Sequence, residues 1–185
     1  SLTMVGENLG RLAELVAGRH HRDRRRVAGD RHPAHLECVG ARARHHGPAG
    51  QARLREMNLT PTIQAEAVKA ADVVILAVPD LLIGKIAGAI VPALKSGAMV
   101  IGLDPAAPHS GKLPPRSDIS YFITHPCHPP VYNDEILSEA RTDFFGGVAK
   151  QNIVCSLMQG PDAHYALGEQ IARKMFAPVM NAHRI

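Results

Sequence analysis

The 185-residue sequence predicts an α/β fold built on a parallel sheet, and two observations carry that reading. DVVILAVPD (72–80), AMVIGLD (98–104), ISYFIT (119–124) and NIVCSLM (152–158) are short apolar runs. Breakers bound them, and a continuous run of this kind reads as a strand buried on both faces. Amphipathic stretches lie between them. In LLIGKIAGAIVPALK (81–95), Leu82, Ile83, Ile86, Ile90 and Leu94 recur at helical spacing, which marks one apolar stripe facing a core. Strand, helix, strand, crossover, strand is the grammar of a parallel sheet.

Each element has local support. ARLREM (52–57) and TIQAEAVKAA (62–71) have helical character ahead of the first run. Asp80 stands where a helix N-cap is expected. Gly97 follows the 81–95 helix, at a place that favours a left-handed turn. After Gly160, Pro161 suits the first turn of a helix through DAHYALGEQIARKMF (162–176), with Pro178 near its end.

Composition bounds the class. Hydrophobic residues make up 45% and charged residues 21% of the chain, which is ordinary globular composition for one domain or a little more. No apolar run approaches the length of a membrane span, and no signal-peptide core opens the chain. Cys38, Cys127 and Cys155 are too widely spaced for a disulfide framework, and they read as reduced thiols of a cytoplasmic protein.

The net charge of +4 is unevenly spread. Residues 1–56 hold eleven arginines, six acids and no lysine, whereas residues 57–185 hold ten basic and eleven acidic residues. The stretch 19–50 carries six of the eleven histidines and shows neither a helical nor a strand rhythm. A basic nucleic-acid arm is one reading, but the stretch has no aromatic residue to stack on bases and no lysine, so nucleic acid is not the expected partner. A solvated segment is the plainer reading. A third is that a GC-rich gene is read here in an altered frame. The expected organisation is therefore an atypical Arg/His-rich segment (1–50), a nucleotide-binding sheet domain (51–160) and the start of a helical C-terminal region (161–185).

In parallel sheets ligands bind beyond the carboxyl ends of the strands. That rule gathers Pro79-Asp80, Asp104-Pro105 and THPCHPP (124–130) along one rim. Three prolines make THPCHPP a stiff loop. It carries His125 and His128, suited to proton transfer near neutral pH or to hydrogen bonding a substrate. A zinc site would need more ligands than this spacing offers. The plain alternative is a proline-shaped turn with a histidine bonded to a carbonyl. Cys127 and Cys155 read as packed thiols, Asp80 as a helix cap or a site residue, and Asp104, before PAAP, as a carboxylate freer to meet a ligand. FFGG (144–147) reads as a packing turn, and Lys150 as a weak cationic contact for an acidic substrate. The glycine-rich GxGxxG turn of dinucleotide folds is missing: VGENLGRLAELV (5–16) does not make the pattern.

ADVVILAVPDLLIGKIAGAIVPALKSGAMVIGLDPAAPHSGKLP, YFITHPCHPPVYNDE and FFGGVAKQNIVCSLMQGPDAHYALGEQIARKMFAPV closely resemble the D-apionate oxidoisomerases, of the 6-phosphogluconate-dehydrogenase-like group. The resemblance covers about residues 51–185. It implies a Rossmann-like parallel sheet, with the N-terminal βαβ unit atypical or lost and a helical C-terminal domain only begun. It implies an NAD-dependent oxidation of a branched sugar acid, D-apionate, coupled to a rearrangement that yields 3-oxo-isoapionate, with formation of NADH. Val78, Pro79, Asp80, Asp104 and Pro105 would line the NAD cleft, and His125 or His128 would take the hydroxyl proton. It also implies a homodimer, and allows a divalent metal held by His125. A dehydrogenase of another 3-hydroxyacid on the same scaffold, or a non-catalytic remnant unable to hold NAD, stand as alternatives.

Overall fold

A computed structural model of the chain describes residues 2–6, 42–44 and 64–185. Seven strands form one sheet: β1 (Leu2–Gly6), β2 (Arg42–Arg44), β3 (Val73–Ala77), β4 (Met99–Gly102), β5 (Ser120–Pro126), β6 (Gln151–Gln159) and β7 (Val179–Arg184). Their spatial order is β2-β1-β3-β4-β5-β6-β7. The helices are α1 (Gln64–Ala70), α2 (Asp80–Ile90), α3 (Ala106–His109), α4 (Ser138–Arg141) and α5 (Asp162–Met175).

The strands from β2 to β5 pair in parallel, as the sequence leads one to expect for β3, β4 and β5. Alternate residues of β3 and β4 feed the two faces. Val73, Ile75, Met99 and Ile101 pack with Phe122 and with Ile171, Ala172 and Met175 of α5. Val74, Leu76 and Val100 pack with Val68 of α1 and with Ile83, Ala87 and Ile90 of α2. This double burial accounts for the near-continuous apolar runs.

The structure departs from the sequence reading in four places. Two strands, β1 and β2, lie within residues 1–50, where no strand was read; Met4 of β1 pairs with Ala43 on one side and Ile75 on the other. Strand β6 runs antiparallel to β5. The connection from 127 to 150 holds only the four-residue α4 and makes no helical crossover back along the sheet, the usual route to a parallel neighbour, so β6 starts at the rim where β5 ends. The 81–95 helix stops at Ile90, and a 3₁₀ turn over Val91–Ala93 carries Pro92; Gly97 does take a positive φ, of 77°, but in the turn before β4. Finally, residues 161–185 begin with α5 as expected and then add β7 to the same sheet, parallel to β6. The helix read at 52–57 lies outside the described residues.

Candidate active site

Strand β1 ends at Gly6, which pairs with Ala77 at the end of β3. On one side of β1 the chain continues to β2, on the other to β3 and β4, so the order reverses here. Such a switch point, at the carboxyl ends of parallel strands, is where doubly wound sheets bind ligands. Val78, Pro79 and Asp80 follow directly, half-buried, exposed and exposed respectively.

The two aspartates exchange the roles the sequence suggested. Asp80 is the first residue of α2; Pro79 holds the N-cap position and no side-chain cap bond is made. Asp80 is thus not a cap, because a carboxylate one residue inside the helix has passed the capping position. Asp104 is the engaged one. Its Oδ1 accepts the backbone N–H of Ala106 at 2.7 Å, which starts α3 despite the PAAP sequence. Pro105 precedes α3 and is exposed.

THPCHPP is only partly loop. Thr124, His125 and Pro126 are the last residues of β5, and Pro126 pairs with Ile153 of β6. The pairing of β5 with β4 stops at Ile123. Beyond it β5 has one neighbour and behaves as an edge, where a proline without N–H is tolerated. Loop begins at Cys127, whose N–H donates to the Asn152 carbonyl at 2.9 Å. Cys127 is exposed, contrary to the packed thiol expected; Cys155 is fully buried, as expected. Burial pushes the Cys155 thiol up, and its bond with Thr124 opposes this only in part.

His125 is half-buried. Its Nδ1 lies 2.8 Å from the carbonyl oxygen of Pro126. A carbonyl can only accept, so Nδ1 carries the proton and the neutral ring keeps a lone pair on Nε2. The alternative of a histidine bonded to a carbonyl is therefore realised, and it leaves the other nitrogen available. His128 is exposed and takes φ of 61°, a region that histidine enters more readily than most residues. The two rings meet edge-on, with centroids 6.0 Å apart and planes at 84°.

Sequence reasoning missed three neighbours. His109 of α3 and His125 border a cavity of about 190 Å³, whose other walls are Pro105, Pro108, Ile123, Thr124, Ile185 and residues of β6. Phe145 meets His128 edge-on at 6.0 Å; FFGG was read as a packing turn, yet Phe144 and Phe145 are both exposed. Asp143 holds that turn: its carboxylate accepts the N–H groups of Phe145, Gly146, Val148 and Ala149 at 2.8–3.3 Å. Burial acts to raise the Asp143 carboxyl, but the four donors outweigh it and hold it below the ordinary value. An aspartate before FFGG was the available signal. Lys150 is exposed, with its backbone N–H bonded to Glu135.

A parallel sheet that reverses strand order at the ends of β1 and β3 defines the class: a Rossmann-like fold. The chain is 55% identical over 139 residues to a D-apionate oxidoisomerase of Rhizobium rhizogenes, covering 74% of this chain and 50% of that protein. A D-apionate oxidoisomerase of Cupriavidus necator is 50% identical over 138 residues, with the same two coverages. Among solved structures, a semialdehyde dehydrogenase NAD-binding protein of Cupriavidus necator, in complex with calcium and NAD, is 39% identical with a TM-score of 0.80; the match covers 99% of this chain and 62% of that one. Residues 133–185 match the family described as phosphogluconate dehydrogenase (decarboxylating) C-term. The chain belongs to the D-apionate oxidoisomerase family, and it spans about half the length of the curated relatives it matches. Among the described residues no helix is long and apolar enough to cross a membrane.

Proposed function

We propose that the chain contributes the catalytic rim of an NAD-dependent oxidation of a sugar acid, D-apionate, coupled to a rearrangement of its carbon skeleton that gives 3-oxo-isoapionate, with NADH as the second product. One observation carries the reading: the hydrogen bond from His125 Nδ1 to the Pro126 carbonyl, which leaves Nε2 as a base at the carboxyl end of β5. Oxidising an alcohol removes a hydride from carbon and a proton from oxygen. NAD, when bound, supplies the hydride acceptor. His125 Nε2 takes the hydroxyl proton, and Nδ1 stays bonded to Pro126 while the ring carries its charge. His128, the second imidazole, hydrogen-bonds the substrate or relays that proton outward.

The residues present suit a dinucleotide. Gly6 ends β1 without a side chain at the switch point, beside Val78 and Pro79, and the N-terminus of the eleven-residue α2 follows. Helix N-termini and backbone amides at such a point attract phosphate. Asp104 supports the rim by shaping α3 through Oδ1, and in this reading its other carboxylate oxygen serves as an acceptor for the cofactor. The described residues suit a metal less well: no group of three His, Cys, Asp or Glu side chains stands together among them, so His125 would lack the further protein ligands of a closed site. A homodimer and a cytoplasmic setting accompany this reading by family analogy.

The experiment is a titration of the purified chain with NADH, followed by D-apionate-dependent NADH formation. Saturable binding and turnover support the proposal. Binding without D-apionate turnover, but with turnover of another 3-hydroxyacid, would move the substrate and keep the site. Absence of NADH binding would sink the reading.

A further inference from the structure

We propose that Phe145 is a positioning residue for the His125–His128 pair, held in place by Asp143. The inference rests on the reading of that pair as the proton-handling group. Its geometry stands independently of that reading.

Three rings form a continuous series. Phe145 lies edge-on to His128 at 6.0 Å, and His128 edge-on to His125 at 6.0 Å. Such tilted contacts, at centroid separations below about 7 Å, are favourable and directional. At its other end the series is anchored by the His125–Pro126 bond. Among the described residues His128 has no hydrogen-bond partner to fix its ring, and its backbone sits at φ 61° just before Pro129. The loop is therefore stiff, while the ring direction depends on its two aromatic neighbours.

Phe145 is 74% exposed, too exposed for its place to come from core packing. Its place comes from the backbone beneath it. Asp143 Oδ1 accepts the N–H groups of Phe145 and Gly146, and Oδ2 those of Val148 and Ala149. One carboxylate thus gathers the whole FFGG turn. Below it, Gly146 and Gly147 take φ of 88° and 123°. A Cβ on Gly146 would run into the amide of Gln151. Gln151 is itself buried, with Nε2 donating to the Phe176 carbonyl at 2.9 Å. The turn is seated on β6, and β6 pairs with the His125 end of β5. A surface phenylalanine held this firmly against an imidazole has a positional use that a solvated one would lack.

The test uses the full chain with labelled histidines. Phe145→Ala removes an exposed ring and leaves the core untouched, so it should melt with the parent. The ring signals of His128 should move in Phe145→Ala, with smaller displacement of His125 and none of His164 or His183. Asp143→Asn should move the same signals in the same direction. With substrate, Phe145→Ala should lower kcat about tenfold with KM within twofold, and shift the acid limb of the kcat profile; Phe145→Tyr should restore both. Unmoved His128 signals in Phe145→Ala would overturn the proposal. So would moved signals with kcat and its pH profile unchanged, since the contact would then serve structure alone. If the parent turns over no sugar acid, the proposed reaction fails, and the ring signals by themselves decide the contact.

Discussion

Asp104 Oδ1 accepts the Ala106 N–H at 2.7 Å, so one oxygen of the carboxylate that the sequence offers to a ligand takes part in starting α3. Asp104→Ala removes that acceptor and leaves the N–H unpaired. The expected cost is about 1 kcal/mol of stability, as for other lost helix-start bonds. Asp104→Asn keeps an oxygen there and should cost less. Urea unfolding of the two variants checks the ordering, and equal stability of Asp104→Ala and the parent would refute the structural role.

His125 is the base in the proposed reaction. His125→Gln places an amide near Nε2 and cannot accept and carry a proton. Turnover should fall about 10²–10⁴-fold, the usual worth of a positioned general base. NADH affinity should stay within a few-fold of the parent. A variant that turns over like the parent would transfer the role to His128.

Asp143 sets a pH dependence. Its carboxyl is held below its ordinary value in the folded chain. A depressed folded pKa contributes stability that is present above the unfolded value, near 3.9, and is lost as pH falls through the folded value. Asp143→Asn should therefore be less stable than the parent at neutral pH, by roughly 1–2 kcal/mol for bonds to a charged acceptor. The gap should close below about pH 4. Thermal melts of both proteins from pH 7 to pH 3 give the comparison; a constant gap would contradict it.

Gly168 of α5 lies against β5. An added Cβ would stand 2.5 Å from Cδ2 of Phe122, a fully buried ring. In an open helix Gly→Ala stabilises by up to about 1 kcal/mol. Here overpacking reverses the sign, and Gly168→Ala should destabilise by roughly 1–3 kcal/mol. A raised melting temperature would show that α5 can slide on the sheet.

The cysteines differ in reactivity. In a Cys38→Ser background, iodoacetamide should modify the exposed Cys127 in the native protein and spare Cys155 until unfolding. The buried thiol is both shielded and pushed up, and only thiolate reacts. Mass spectrometry of the labelled chain reads the result.

Four strands and three of the helices were legible in the sequence, because burial on both faces writes a dense apolar run and one-sided burial writes a 3.6-residue stripe. Val73–Ala77 and Met99–Gly102 show the first, α2 and α5 the second. Strands β1 and β2 were not legible. Arg42–Arg44 has no apolar alternation, and its place comes from backbone pairing with Thr3, Met4 and Val5. Strand β7 is an edge strand, largely exposed or half-exposed, and carries little burial signal.

The same division runs through the site. The sequence alone determined that His125 and His128 stand among prolines at the end of an apolar strand, because chain order and φ restriction are local properties. It determined the family too, through motifs that need no folding to read. Tertiary structure decided which histidine nitrogen is free, which aspartate is engaged and which aromatic ring faces His128. The first two outcomes depend on the backbone conformation that the assembled sheet and loops impose on near neighbours, His125 with Pro126 and Asp104 with Ala106; the third depends on the approach of residues apart in sequence, Phe145 and His128. Thr124 to Pro126 end as strand because β4 stops pairing at Ile123 while β6 continues to Ile153, a balance of hydrogen bonds that only the assembled sheet can set.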